Sequence, residues 1–223
     1  PVEYTIDGVN QSQVRPEIGY DFASGLRQIL RQDPDGIMVG EIRDSETANL
    51  AVNASLTGHI VLSTLHTNNA AGVIPRLIDM GVPPFLLPPS LSVMAAQRLV
   101  SRLCPRCRKA GGAPPEVAAI IKREMAKLPA ALTAAYREPY QVFHAPGCPA
   151  CRGKGVIGRV ALFEVLEMTG ELAALISANQ VSEAKILEEA RRQGMLSLRQ
   201  DGLLKALAGM VAVEEVVRET EEI

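Results

Sequence analysis

The residues with the most legible chemistry are four cysteines. Cys104-Pro105-Arg106-Cys107 and Cys148-Pro149-Ala150-Cys151 form two CxxC pairs separated by 40 residues. Two such pairs supply four thiolates, the ligand set of a tetrahedral zinc ion, and the proline after the first cysteine of each pair stiffens the knuckle turn. Four protein ligands leave no open coordination position, so an ion held this way is structural. Two disulfides, four free thiols or an iron–sulfur cluster are the competing uses of the same residues. A second group is carboxylate and imidazole. Ile37-Met38-Val39-Gly40-Glu41 is an apolar strand ending in an acid, which places a carboxylate at the edge of a sheet where a metal ion or a water can be reached; a solvated strand-end glutamate has the same pattern. His59 and His66 bracket the apolar run between them. Their odd separation of seven puts them on opposite faces of a strand, so they do not share one ion. His66, at the carboxyl end, is either a polar sensor of a ligand or a hydrogen-bonded turn residue. A third group is basic: Arg27, Arg31, Arg43 and Arg76 offer planar donor forks suited to phosphate, although a charged residue on an amphipathic helix is usually part of a solvated face.

The elements that must position these groups follow from patterning. Val2, Tyr4 and Ile6 alternate with Glu3, Thr5 and Asp7, and Asp7-Gly8 is followed by renewed alternation to Val14, the signature of a hairpin. Phe22, Leu26, Ile29 and Leu30 then take helical spacing, and Asp33-Pro34-Asp35-Gly36 stops the helix. Residues 37–39 read as a buried strand, Asp44 or Ser45 caps the next helix, and 59–65 reads as a second buried strand leading to a helix that closes at Gly81. Strand, helix, strand, helix in short succession predicts an α/β fold with a mostly parallel sheet. Residues 90–103 read as a helix, 104–151 as an Ala-rich insertion between the cysteine pairs, and 160–166 as a strand. The tail reads as helical, with a capping box at Ser197 and Gln200 and stops at Gly194 and Gly209. Pro75 falls in the interior of the helix closing at Gly81, where it removes a hydrogen bond.

With 223 residues, 47% hydrophobic and 22% charged, the chain has enough material for a substantial core. No apolar run reaches membrane-spanning length, and no charged, apolar leader opens the chain. Net charge is −2 and aromatics make up 4%, which argues against a nucleic-acid-binding zinc ribbon. Paired CxxC motifs fit a reducing, cytoplasmic compartment. Because the chain opens at Pro1, inside an apparent strand, the expectation is a piece of a longer protein.

Several runs taken together resemble one family. Gln32-Asp33-Pro34-Asp35-Gly36-Ile37-Met38-Val39-Gly40-Glu41-Ile42-Arg43-Asp44 is similar to the atypical Walker B box of the type II secretion and type IV pilus assembly ATPases. Thr57-Gly58-His59-Ile60-Val61-Leu62-Ser63-Thr64-Leu65-His66-Thr67-Asn68 resembles their His box, and Pro1-Val2-Glu3-Tyr4 the end of their Asp box. Gln97-Arg98-Leu99-Val100 leads into the cysteines as in that family, and residues 192–195 and 201–209 resemble its C-terminal helices. The likeness runs nearly end to end, with the boxes in order.

The resemblance implies a RecA-like α/β domain, truncated at its N-terminal side, with a four-cysteine zinc subdomain and C-terminal helices. The implied division is 1–103 for the ATPase part, 104–151 for the zinc subdomain and 152–223 for a strand plus helices. It implies a hexameric ring at the cytoplasmic face of the inner membrane, using ATP and magnesium to drive assembly of pilin-like subunits. Its partners would be the inner-membrane platform and cytoplasmic assembly proteins, with no direct nucleic-acid contact. Glu41 would be the Walker B glutamate and Glu3 the Asp-box glutamate that polarises the attacking water. His66 and His59 would belong to the phosphate-sensing His box, and Arg27, Arg31 and Arg159 would lie near nucleotide or subunit interface. Cys104, Cys107, Cys148 and Cys151 would hold zinc. The Walker A loop, GxxxxGK[ST], which grips the β- and γ-phosphates, does not occur in the chain, so turnover by this piece alone is not expected. The alternative is a zinc-stabilised module that docks the membrane platform protein.

Overall fold

The computed structural model describes residues 2–178 and 181–220; Pro1, the first residue of the run similar to an Asp box, lies outside them. Among the described residues no helix is long and apolar enough to cross a membrane. The expected N-terminal hairpin does not form a β-ladder. The two arms around Asp7-Gly8 are instead joined by side chains: Gln13 Oε1 accepts from the Val2 N–H (2.6 Å), Gln11 Oε1 accepts from the Ile6 N–H (2.6 Å), and Gln11 Nε2 donates to Tyr4 O (3.1 Å). Glutamine amides thus take the backbone bonds that a partner strand would supply. Val2, Tyr4, Ile6 and Val9 remain exposed, so no buried face fixes a strand register.

Helix α1 (Phe22–Ile29) starts at Asp21, whose carboxylate accepts from the Ser24 N–H while Ser24 Oγ accepts from the Asp21 N–H. Strand β1 (Gly36–Val39) follows, then α2 (Ser45–Leu56), capped by Asp44 on the Thr47 N–H, then β2 (Ile60–Ser63). β1 and β2 pair in parallel, Gly36 opposite Ile60 through Val39 opposite Ser63, as the alternation of strands and helices requires. Ile37 and Val39 are buried under the helices, whereas Met38, Ile60 and Leu62 are 70%, 67% and 61% exposed. The expectation of two wholly buried strands therefore fails on one face. Periodicity shows that a strand is apolar; it does not show whether anything covers both of its sides.

Helix α3 (Val73–Asp79) begins one residue after Gly72, so Pro75 sits in its first turn, where no intrahelical donor is lost. This corrects the interior placement read from the sequence. After α4 (Leu87–Ser90), residues 93–103 form strand β3 (Val93–Leu103) and not the expected helix. Ser92, Val93 and Leu99 are exposed while Met94 and Val100 are buried, and pairing with a distant strand overrides local helical spacing. The insertion between the cysteine pairs contains β4 (Lys109–Gly112), α5 (Pro115–Met125), α6 (Ala130–Thr133) and β5 (Gln141–His144). Here β4 and β5 are antiparallel, with Lys109 opposite His144. Strand β6 (Val156–Glu167) pairs with β3. The remainder is helical: α7 (Gly170–Ser177), α8 (Glu183–Arg192), α9 (Leu198–Leu207) and α10 (Val213–Glu219). The capping box at Ser197 and Gln200 forms as expected.

Packing divides the chain into two compact units, residues 1–94 with 167–189, and residues 95–166 with 190–223. The first has Ala48, Ile74, Leu87, Leu172, Ile176 and Ile186 fully buried. The second is built around Val100, Ile121, Leu162, Leu203, Val211 and Val216. Burying a side chain of this size stabilises by about 1.5–3 kcal/mol.

Candidate functional site

In the first unit the two parallel strands end together. The Ile42 N–H donates to Thr64 O (2.9 Å) and Thr64 Oγ1 donates to Gly40 O (2.7 Å), which ties the chain leaving β1 to the chain leaving β2. That clasp brings Glu41 and His66, 25 residues apart, together at the carboxyl edge of the sheet: His66 Nε2 lies 3.2 Å from Glu41 Oε2. Arg43 Nε reaches the same oxygen at 2.6 Å. The Glu41 residue is only 8% exposed, whereas the Arg43 and His66 side chains are largely open. Burial pushes the Glu41 carboxyl up. The hydrogen bonds from Arg43 and His66, with their charges, outweigh it and hold the group below the usual carboxylate range. The edge thus presents an ionised carboxylate, an imidazole and a guanidinium. Together these can accept a proton from water, bind a cation and contact anionic oxygens.

The other expected residues are not drawn to this point. His59 stands at the start of β2, the opposite end from His66. Its Nδ1 lies 3.1 Å from Ala54 O and 3.1 Å from Thr57 Oγ1, closing the end of α2. Arg27 pairs with Glu46 of α2. Arg31 is exposed in the turn after α1, and Glu3 is exposed in the N-terminal stretch; among the described residues no bond joins either to Glu41. Arg159 lies exposed on β6, in the second unit. Arg43 was legible as basic, but its partner was not: sequence spacing pointed it at phosphate, and the structure points it at Glu41.

In the second unit the four cysteines converge, with one sulfur of each within 4.8 Å of all the others. Cys104 Sγ to Cys148 Sγ is 3.8 Å, Cys148 to Cys151 is 3.8 Å and Cys107 to Cys151 is 4.0 Å. A disulfide needs about 2.05 Å. Tetrahedral ligands around zinc, at about 2.3 Å from the ion, stand about 3.8 Å apart. The donor set therefore fits a four-thiolate ion and no disulfide. The knuckles are preorganised by backbone. The Cys148 and Gly155 N–H groups donate to Cys151 Sγ (3.1 and 3.2 Å). Although burial raises the Cys151 thiol, these amides bring it down to about 6. For Cys107, burial and the neighbouring sulfurs push the thiol up to about 12, so a divalent ion bound there would displace its proton. Gly147 and Gly155 both have positive φ (99° and 72°), and a Cβ on either would strike backbone oxygen, of Gly153 or Ala145. At both positions two backbones pass closely beside the sulfurs.

The first unit is α/β, with parallel strands and a carboxylate at their carboxyl edge, and the fold is RecA-like. Solved structures agree: the Yersinia pseudotuberculosis ATPase DotB superposes with a TM-score of 0.65 at 20% identity, covering 99% of this chain and 47% of that one. The pilus retraction motor PilT with bound ADP superposes at 0.58 and 24% identity, covering 91% of this chain and 44% of that one. The profile of the family described as "Type II/IV secretion system protein" matches residues 1–218, and the chain belongs to that family. Among its relatives are the type II secretion system ATPase E of Vibrio cholerae, 47% identical over 222 residues and covering 100% of this chain, and the type IV pilus assembly ATPase PilB of Thermus thermophilus, 46% identical over 222 residues and likewise covering 100% of this chain. The chain spans 42% and 24% of their lengths.

Proposed function

We propose that this chain is part of an ATP-hydrolysing motor that assembles pilin-like subunits in type IV pilus or type II secretion machinery. The observation that carries the reading is the clasped strand edge, where Glu41 meets His66 at 3.2 Å. Magnesium, when bound with ATP, would neutralise developing charge on the phosphates. Within the chain, Glu41 would orient and deprotonate the attacking water, its unbonded carboxylate oxygen being the one free to act. His66 would report the terminal phosphate to that carboxylate. The zinc implied by the four thiols would hold Cys104, Cys107, Cys148 and Cys151 together and take no part in hydrolysis. Glu3, His59, Arg27, Arg31 and Arg159 remain proposals for the full-length hexameric ring, where neighbouring subunits bring further groups; ring and partners would lie in the cytoplasm against the inner membrane.

The test is Glu41→Gln in the full-length protein. Hydrolysis should fall by about 10²–10⁴-fold, the worth of a positioned general base, while ATP binding stays. Turnover at wild-type rate would remove Glu41 from the chemistry.

A further inference from the structure

The surface around the four thiols is positively charged to a degree the metal site does not require. Residues 99–114 and 139–160 contain Arg102, Arg106, Arg108, Lys109, Arg152, Lys154 and Arg159, and no aspartate or glutamate. All seven are exposed. The fold gathers six of them at one end of the second unit. Arg106 lies inside the first knuckle, and Arg108 and Lys109 leave it. Arg152 and Lys154 leave the second knuckle, whose sulfurs touch those of the first. The Cys104 N–H bond to Gly155 O (2.8 Å) holds Arg102 and Lys154 at the same edge. Lys109 pairs in register with His144, a further exposed polar group.

Several cations elsewhere in the chain have a carboxylate partner: Arg27 with Glu46, Arg43 with Glu41, Lys122 with Glu138, Arg123 and Lys127 with Glu124, Lys205 with Asp201, Arg218 with Glu215. At the thiol site only Arg108 is engaged, bonded to Gly209 O and lying over the Phe143 ring. The other six form no ion pair among the described residues. A divalent ion held by four thiolates carries two net negative charges, which leaves the six gathered cations with a surplus of about four positive charges. Since the whole chain is at −2, this is a segregated patch and not a general basicity.

We infer that this end of the second unit is a docking surface for an acidic protein segment, one rich in aspartate and glutamate. Five of the seven cations are arginines, whose forks bind carboxylates through two bonds, and the knuckle backbone holds their stems on a rigid base. A membrane surface fits less well. The exposed residues between the cations include Pro105, Pro149, Ala150, Gly153 and the aliphatic Ile157, and the patch offers no amphipathic helix and no exposed aromatic anchor. Single-stranded nucleic acid needs stacking platforms, and Tyr140 and Phe143, the aromatics of these segments, are half-buried.

The experiment measures binding of three probes to the full-length protein over a salt series. The probes are a labelled Asp/Glu-rich peptide, phosphatidylcholine–phosphatidylglycerol vesicles and a single-stranded oligonucleotide. The peptide should bind best, weaken as salt shortens the screening length, and lose about tenfold or more in affinity in Arg106→Glu/Arg152→Glu/Lys154→Glu. The milder Arg106→Gln/Arg152→Gln/Lys154→Gln should lose part of that affinity with metal content and ATP hydrolysis unchanged. Lys122→Glu, at a paired site, should lose none. Tighter binding of vesicles or oligonucleotide than of peptide, or a peptide affinity indifferent to both triple variants, overturns the inference. Because hydrolysis is followed in the same samples, failure of the motor reading would be seen separately.

Discussion

At the scale of single residues, the decisive contact is Arg43 on Glu41. A carboxylate two residues before an arginine is common, and nothing in the run Gly40-Glu41-Ile42-Arg43 says that the arginine turns back. Once it does, Arg43 and His66 share one carboxylate oxygen and keep Glu41 ionised below the usual range. The sign is that of a depressed acid: the stabilising interaction is present above the ordinary carboxylate pKa and disappears as pH falls through the lowered one. Arg43→Ala in the full-length protein should therefore move the acid limb of the kcat–pH profile to higher pH, toward the ordinary glutamate value, with Arg43→Lys moving it less. An unchanged acid limb would show that Glu41 is not the group being titrated. The sequence supplied Glu41 and His66 as candidates because strand ends collect ligands; it also set His59 at the other end of the strand, where its ring closes a helix.

At the scale of elements, α9 and α10 approach each other through Gly202. A Cβ there would overlap Val216 Cγ1 and come within 3.0 Å of Leu162 Cδ1. Helix propensity alone makes Gly202→Ala stabilising by about 0.5–1 kcal/mol. Overpacking against two buried side chains costs about 1–3 kcal/mol. The packing term wins, so a lowered Tm is expected on thermal unfolding, and a raised Tm would show that α10 gives way without cost. The same competition explains the misread strand β3: residues 90–103 carry helical spacing, yet pairing with β6 settles them as extended backbone. Local patterns resolved α1, α2, the capping box at Ser197 and the alternation of β1 and β2. They failed where a partner more than 50 residues away decides the conformation.

For the molecule as a whole, the four-thiol site joins the end of β3 to the start of β6 and so closes a long insertion. Protein purified without added metal should hold about one zinc per chain by elemental analysis. Cys104→Ser should lower that content and destabilise the second unit, read as loss of cooperative unfolding in its part of the chain. Full stability without metal would leave the cysteines as free thiols only. The sequence by itself determined the two CxxC pairs, the α/β character and the likeness to one family, because these depend on residue types at short, fixed spacing. Only the tertiary structure decided that Arg43 and His66 converge on Glu41, that one face of β1 and β2 stays bare, and that cations from both cysteine knuckles gather at the metal end. Each of those depends on distances between residues far apart in the chain, which packing and hydrogen bonding set and local pattern does not encode.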